Sequence, residues 1–442
     1  MPDLRIVSVV GREVLDSRGR PTVEADVSLA DGTMGRASVP SGASTGRHEA
    51  VEFRDGDAAR YRGLGVLRAG GNVTGEIAAA VRGRAADDQR SLDDALIAAD
   101  GSPRKARLGA NAALAVSLAA CRAAAIGRGL PLYRHIADLS GERPSIPLPM
   151  VNIISGGLHA GRQLDIQDVL AVPLAATSFR DALETVVAIH ARVGDMIRAA
   201  GFPPLAADEG GWGPPLDSDR EAIEWVARAI ADEGVAAGIA LDIAATHFFD
   251  TESGTYRLTS ASGASGSAGS RVLGSAGMTA VLADWVRAYP IVSGEDGLAE
   301  DDWGGWEALT ARLGAVQVLG DDLFVTDIRR LEEGVARGIA NAVLIKPNQA
   351  GTLSEAFDVI ASARRHGYGI VVSARSGETE DSFLADLAVG TGAGQIKVGS
   401  VTRSSRLAKW NQLLRIEEEL GPGAYVGARA LAGRAQAHDA GR

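Results

Sequence analysis

The run AVLIK, residues 342–346, and its neighbours VQVLGDD (316–322), GIVVSARS (369–376) and QIKVGS (395–400) decide the fold. Each is a short β-branched segment that reaches a polar or charged residue and then gives way to a helix-like stretch. IVSGED (291–296) and IALDI (239–243) precede them in the same style. From Glu295 the charged ends recur at Asp321, Lys346, Arg375 and Lys397, roughly 25 residues apart, the length of one strand, one helix and two short connections. The spacing predicts a closed barrel of parallel strands whose C-terminal ends converge on one mouth. Asp242, Glu295, Asp321, Lys346 and Lys397 would form its rim.

Working back from these runs, MVNIIS (150–155) and IQDVLAVPL (166–174) read as the first two barrel strands, joined by SGGLHAGRQ (155–163). His159 in that connection either stabilises the loop or belongs to the site. Asp168, at an inward position of the second strand, needs a partner and is therefore part of the site or half of an ion pair. In AADEGGWGPP (206–215) the glycine pair and the two prolines stop any helix, so Asp208 and Glu209 serve either a turn or the chemistry. The serine-, glycine- and alanine-rich segment 259–277 and the tail after Leu431 read as loose surface chain.

Towards the N-terminus, residues 4–10 and 22–30 alternate as strands about the turn-rich DSRGRP, and a third short strand lies near GRASVP (35–40). These make an antiparallel meander. SGASTGRHEA (41–50) is a mobile surface loop or a lid whose contact residues would be Ser44 and Thr45. The stretch from Asn72 to Ala137 is helical and rich in alanine, and LGANAALAVSLAACRAAA (108–125) is apolar on nearly every face, as a buried helix would be. SGERPSIPLP (140–149) is the best boundary, which gives an α+β capping domain at 1–140 and a barrel at 141–442.

A chain of 442 residues exceeds what one core usually serves, in agreement with two domains. The formal net charge of -11 argues against nonspecific nucleic-acid or membrane binding, since no basic surface is implied, but leaves room for a local cluster that binds an anion. Cys121 is the only cysteine, so no internal disulfide is possible. The first residues lack the apolar core of a signal peptide, and no apolar run reaches about 18 residues, so no membrane span and a cytoplasmic location are expected.

Three carboxylates gathered at one mouth repel one another, and the usual remedy is an oxygen-preferring divalent cation, most often magnesium. Pairing of each with a local basic residue is the alternative. Two ammonium groups facing one cavity depress at least one pKa, which would let Lys346 or Lys397 act as a base. Arg375 and Ser376 offer a fork and a hydroxyl suited to phosphate. A base, a metal and a phosphate clamp together point to proton abstraction next to a carboxylate.

At this point the sequence resembles the enolase (phosphopyruvate hydratase) family over nearly its full length. The matches include LDSRGRPTVE (15–24), VPSGASTG (39–46), GGLHAG (156–161), DEGG (208–211), GDDLFVT (320–326), LIKPNQAGTLSE (344–355), RSGETEDSF (375–383) and RLAKWNQLLRIEEEL (406–420). The resemblance implies an N-terminal α+β cap on a modified (β/α)8 barrel of the TIM type that opens with two antiparallel strands, assembled as a homodimer or higher homo-oligomer. It implies Lys346 as the base for the C2 proton of 2-phosphoglycerate and Glu209 as the acid for the departing C3 hydroxyl. Asp242, Glu295 and Asp321 would hold a first magnesium ion, and Ser44 would help to hold a second with the phosphate. Arg375 and Ser376 would bind the phosphate, with Lys397, His159 and Asp168 lining the substrate. The lysine-plus-magnesium pairing is already known for this superfamily.

The departures are as informative. The family has Glu where this chain has Asp168, His where it has Ala374, IEDP where it has Gly294-Glu295-Asp296-Gly297, and NGG where it has Ser155-Gly156-Gly157; Pro347 follows the lysine. The changes at Asp168 and Ala374 would both enlarge the pocket near the leaving hydroxyl. They suggest a specialised paralog acting on 2-phosphoglycerate or phosphoenolpyruvate-type compounds together with a bulkier reactant. Its precedent is the carboxyphosphonoenolpyruvate synthases of phosphinate antibiotic pathways, for which that reactant is a CMP-activated phosphonoformate. An ordinary glycolytic hydratase and a non-catalytic binding protein are the other two readings.

Overall fold

A computed structural model describes residues 2–43, 46–259 and 270–433. Strands β1 (Ile6–Leu15), β2 (Pro21–Leu29) and β3 (Met34–Ser38) form the antiparallel meander, with Gly19 and Gly32 at positive φ in its two turns. β1 runs further than its alternation suggests, because pairing with β2 continues to Leu15 opposite Pro21. The alanine-rich helix Ala110–Gly127 lies on this sheet, and its approach explains Gly35. A Cβ there would sit 2.3 Å from the Ala119 carbonyl oxygen, so strand and helix backbones meet directly. That helix is long and apolar enough to cross a membrane by length and composition, contrary to the reading from apolar runs, yet 83% of it is buried inside the protein. It is a core helix.

The second domain is a closed barrel of eight strands. In order around the wall these are β4 (Leu148–Ser155), β5 (Asp168–Pro173), β6 (Ala237–Asp242), β10 (Ile291–Glu295), β11 (Gln317–Gly320), β12 (Ala342–Ile345), β13 (Gly369–Ser373) and β14 (Gly394–Gly399). The missing numbers belong to a small excursion after β6, a three-stranded sheet of β7 (Phe249–Asp250), β8 (Thr255–Leu258) and β9 (Arg271–Leu273). The all-parallel barrel expected from strand spacing is corrected at one strand: β5 runs antiparallel to both β4 and β6, and every other pair is parallel. The 12 residues between the end of β4 at Ser155 and the start of β5 at Asp168 hold only the single turn Gly157–His159, so no crossover helix carries the chain back to start a parallel strand. The segment read as loose chain over 259–277 is also corrected in part. It contains β9 and the start of the helix Ser275–Ala288; residues 260–269 and the tail from 434 lie outside the described residues.

The two domains are stitched together by buried polar contacts. The barrel helix Leu353–Arg365 has its first amides satisfied by cap residues: Leu353 N donates to Ser117 Oγ at 3.0 Å and Ser354 N to Asp93 Oδ2 at 2.8 Å. The cap is therefore held over the mouth of the barrel.

Candidate active site

The reversed strand matters for the chemistry. Asp242 and Glu295 end β6 and β10, and Asp321 and Lys346 follow β11 and β12 directly. Asp168 begins β5, and because that strand runs backwards it sits level with Ser155 and Asp242 at the same rim. Lys397 faces inward from β14. None of these six residues is more than 9% exposed.

The lysines lie among the carboxylates. Lys397 Nζ is 2.7 Å from Asp242 Oδ2 and 2.8 and 2.7 Å from the two oxygens of Glu295. Lys346 Nζ donates to Asp321 Oδ2, and the other oxygen of Asp321 accepts from Gln349 Nε2 at 2.9 Å. Burial opposes the charge on both lysines. Asp321 outweighs it at Lys346, as Asp242 and Glu295 do at Lys397, so both ammonium groups are held above their ordinary values. This corrects the expectation that mutual repulsion would depress one of them, since each ammonium is hydrogen-bonded to a carboxylate whose attraction outweighs burial and the neighbouring cations. Burial and the adjacent Asp242 push Glu295 well up, whereas Lys397 and Lys346, acting against burial, keep Asp242 below its ordinary value.

Oxygen donors buried at one rim, now neutralised by an ammonium, fit a hard divalent cation such as magnesium. Asp321 also gathers closely with Asp296 and Asp322, and this group has the spacing to hold a metal ion. Asp296 has a left-handed backbone (φ 45°), and its carboxylate accepts from Asp321 N at 2.9 Å and Asp322 N at 2.8 Å, fixing the rim between β10 and β11. Burial and Asp321 raise Asp322 to about 8. The strand-end argument named Asp296 beside Glu295 but did not place it among the metal carboxylates, and it did not single out Asp322.

A second group with metal-compatible spacing lies across the mouth: His159, Asp168 and Glu209. Asp168 Oδ2 is 3.0 Å from His159 Nδ1, and Oδ1 accepts from Asn152 and, at 3.0 Å, from Ser155 Oγ. The carboxylate is thus turned onto protein donors. Ser155, where the family has Asn, is one of them. His159 Nε2 is 3.9 Å from Glu209 Oε1. Burial disfavours the imidazolium, but Asp168 and Glu209 outweigh it and lift His159 to about 9. Burial also opposes ionisation of Glu209, and Arg406, His159 and the two lysines overcome it, holding the carboxyl below its ordinary value. Asp208, by contrast, is exposed. The Gly210-Gly211 pair makes the turn possible: at Gly211 a Cβ would be 2.7 Å from Asn152 Oδ1.

Arg375 and Ser376 lie where the cap meets the barrel. Arg375 Nη1 is 2.8 Å from Glu49 Oε2 and Nη2 is 3.3 Å from Glu49 Oε1, so a cap carboxylate occupies the fork expected to take phosphate. Ser376 Oγ accepts from Arg18 Nη1 at 2.9 Å and Ala43 N at 2.8 Å. Glu49 and Arg18 were not foreseen as site residues, although Arg18 stands in LDSRGRPTVE, one of the motifs that carried the family resemblance. Ser44 and Thr45 lie outside the described residues. Ala374 is buried beside the lysine strand, its amide donating to Lys397 O at 2.8 Å.

A capped barrel with one reversed strand carries a rim of buried lysines and carboxylates whose acidic groups are compatible with a metal ion. Residues 6–136 match the family description "Enolase, N-terminal domain" and residues 143–433 match "Enolase, C-terminal TIM barrel domain". The chain belongs to the enolase family.

Proposed function

We propose that this chain is a magnesium-dependent enzyme that abstracts the C2 proton of a 2-phosphoglycerate or phosphoenolpyruvate-type substrate, specialised as a carboxyphosphonoenolpyruvate synthase. The observation that carries the reading is the pair of opposed groups at one mouth. Lys346 is held on Asp321, and His159 stands 3.9 Å from Glu209. Elimination across adjacent carbons needs a base at one carbon and an acid at the next. Magnesium, held by Asp242, Glu295 and Asp321, with Ser44 contributing to a second ion, would supply the positive charge that makes an enolate tolerable.

The rest is the work of the chain's own groups. Lys346, once neutral, takes the C2 proton. Glu209 is ionised beside His159, so the imidazolium is the nearest store from which it can be protonated to assist the C3 hydroxyl as water leaves. Arg375 must exchange Glu49 for the substrate phosphate, a like-for-like swap of one anion for another. Specialisation rests on Ala374, where a methyl replaces an imidazole, together with Asp168 and Gly297. The smaller side chain at Ala374 is the ground for a second reactant, a CMP-activated phosphonoformate, whereas Gly297 faces Leu282 and Leu309. A homodimer or higher homo-oligomer acting in the cytoplasm completes the proposal.

Ordinary phosphopyruvate hydratase is the second reading, since His159, Lys346 and Lys397 all act electrostatically on Glu209 and this set would serve plain dehydration equally. Incubation with magnesium and 2-phosphoglycerate, following enol absorbance, separates the two. Slow turnover, with a new phosphorus resonance on adding CMP-phosphonoformate, supports the specialised enzyme. Fast turnover of 2-phosphoglycerate with no such product overturns it.

A further inference from the structure

Arg18 belongs to the cap, in the turn between β1 and β2, and its side chain is only 6% exposed. Its guanidinium reaches across the domain junction. Nη1 donates to Ser376 Oγ at 2.9 Å, while Nη2 donates to Ser41 O at 2.9 Å and lies 3.2 Å from Asp16 Oδ2. The Ser41 segment then returns to the same serine, because Ala43 N donates to Ser376 Oγ at 2.8 Å. The two strands of this contact are locked by Ser41 N to Gly377 O at 2.8 Å and Gly377 N to Ser41 O at 3.0 Å. A side chain at Gly377 would collide with Asp16 and Arg18, at 2.2 and 2.5 Å, so the backbone there is shaped to receive this guanidinium.

A serine hydroxyl has two acceptor lone pairs and one hydrogen. Arg18 and the Ala43 amide take both lone pairs of Ser376. Among the described residues the hydroxyl donates to nothing, although Ser376 is only 5% exposed. The remaining valence is a hydrogen-bond donor on the residue that follows Arg375 at the same domain junction, and a buried donor of that kind calls for an acceptor. We propose that Arg18 is a positioning residue for anion recognition: it fixes Ser376 as an obligatory donor, so that a tetrahedral oxyanion on Arg375 receives the Ser376 hydrogen. This rests on the functional reading above, which puts the substrate phosphate at Arg375 and Ser376. Arg18 itself acts through Ser376 and need not touch the ligand.

The test is a double-mutant cycle read by binding of inorganic phosphate in the presence of magnesium, using isothermal calorimetry, with KM and kcat for 2-phosphoglycerate alongside. Arg18→Met should weaken phosphate about tenfold, the scale of one charge-assisted hydrogen bond. It should raise KM more than it lowers kcat. In a Ser376→Ala background the same change should cost less than about twofold, because its target is gone. Arg18→Gln, which keeps a single donor, should recover part of the affinity and covers the case in which Arg18→Met does not fold. Equal losses with and without the Ser376 hydroxyl would overturn the proposal, and so would no loss at all. If the unmutated protein binds neither phosphate nor 2-phosphoglycerate, the functional reading itself fails and takes this inference with it.

Discussion

Replacing Lys397 by methionine removes the one cation among the described residues that touches both Asp242 and Glu295, with consequences that follow from the contacts. The ammonium makes three contacts of 2.7 to 2.8 Å with two carboxylates that are both 3% exposed. Breaking a buried ion pair by deleting one partner costs about 3–5 kcal/mol. At a sensitivity of about 2 °C per kcal/mol for a large domain, thermal unfolding in EDTA should fall by about 6–10 °C. The loss should also depend on pH. Glu295 already sits well above its ordinary value with Lys397 present, and without it Asp242 rises too. A carboxyl whose folded pKa is raised destabilises the fold only above its unfolded value, so the deficit should be small near pH 4 and grow as pH rises toward 8. Magnesium should offset much of it, since an ion at 100 times its dissociation constant stabilises by about 2.7 kcal/mol. The rise in unfolding temperature on adding magnesium should therefore be larger in the variant than in the unmutated protein. Differential scanning fluorimetry over a magnesium series at several pH values reads all three effects. A variant as stable as the parent in EDTA, or one indifferent to magnesium, would refute the view of these carboxylates as a cation trap.

Two further predictions concern other residues. Ala374→His restores the imidazole of the family pattern and should raise the rate with 2-phosphoglycerate while abolishing product formation with CMP-phosphonoformate; unchanged rates in both assays would make the substitution incidental. His135 is buried against Arg128, and burial first, then that cation, lowers its pKa from 6.5 to about 4. The folded state therefore binds fewer protons than the unfolded chain between those values, and stability contributed by the neutral ring should be intact above pH 6.5 and decline as pH falls toward 4. Denaturant midpoints should show this slope and lose it in His135→Gln; an unaltered slope would sink the assignment.

The barrel was legible because strand ends carry charge at nearly even spacing, and Asp242, Glu295, Asp321, Lys346 and Lys397 do share one rim. The reversal of β5 was not legible from alternation, which is blind to direction; only the short connection after Ser155 encodes it, and the family resemblance supplied it. The sign of the lysine shifts was missed for a related reason. Sequence places two ammonium groups in one cavity but does not say that Asp242 and Asp321 lie nearer to them than they lie to each other. Glu49 and Arg18 were missed as site residues because their partners, Arg375 and Ser376, stand more than 300 positions away, and no local pattern records a contact across the domain junction.

The account stands or falls on proton transfer at C2. The most direct measurement is proton NMR of 2-phosphoglycerate in deuterium oxide, with the protein and magnesium present. The C2 signal should disappear by exchange even where net turnover is slow, the loss should stop on adding EDTA, and Lys346→Ala should abolish it. Retention of the C2 proton by the magnesium-loaded protein, or exchange that survives in Lys346→Ala, would contradict the assignment of Lys346 as the base.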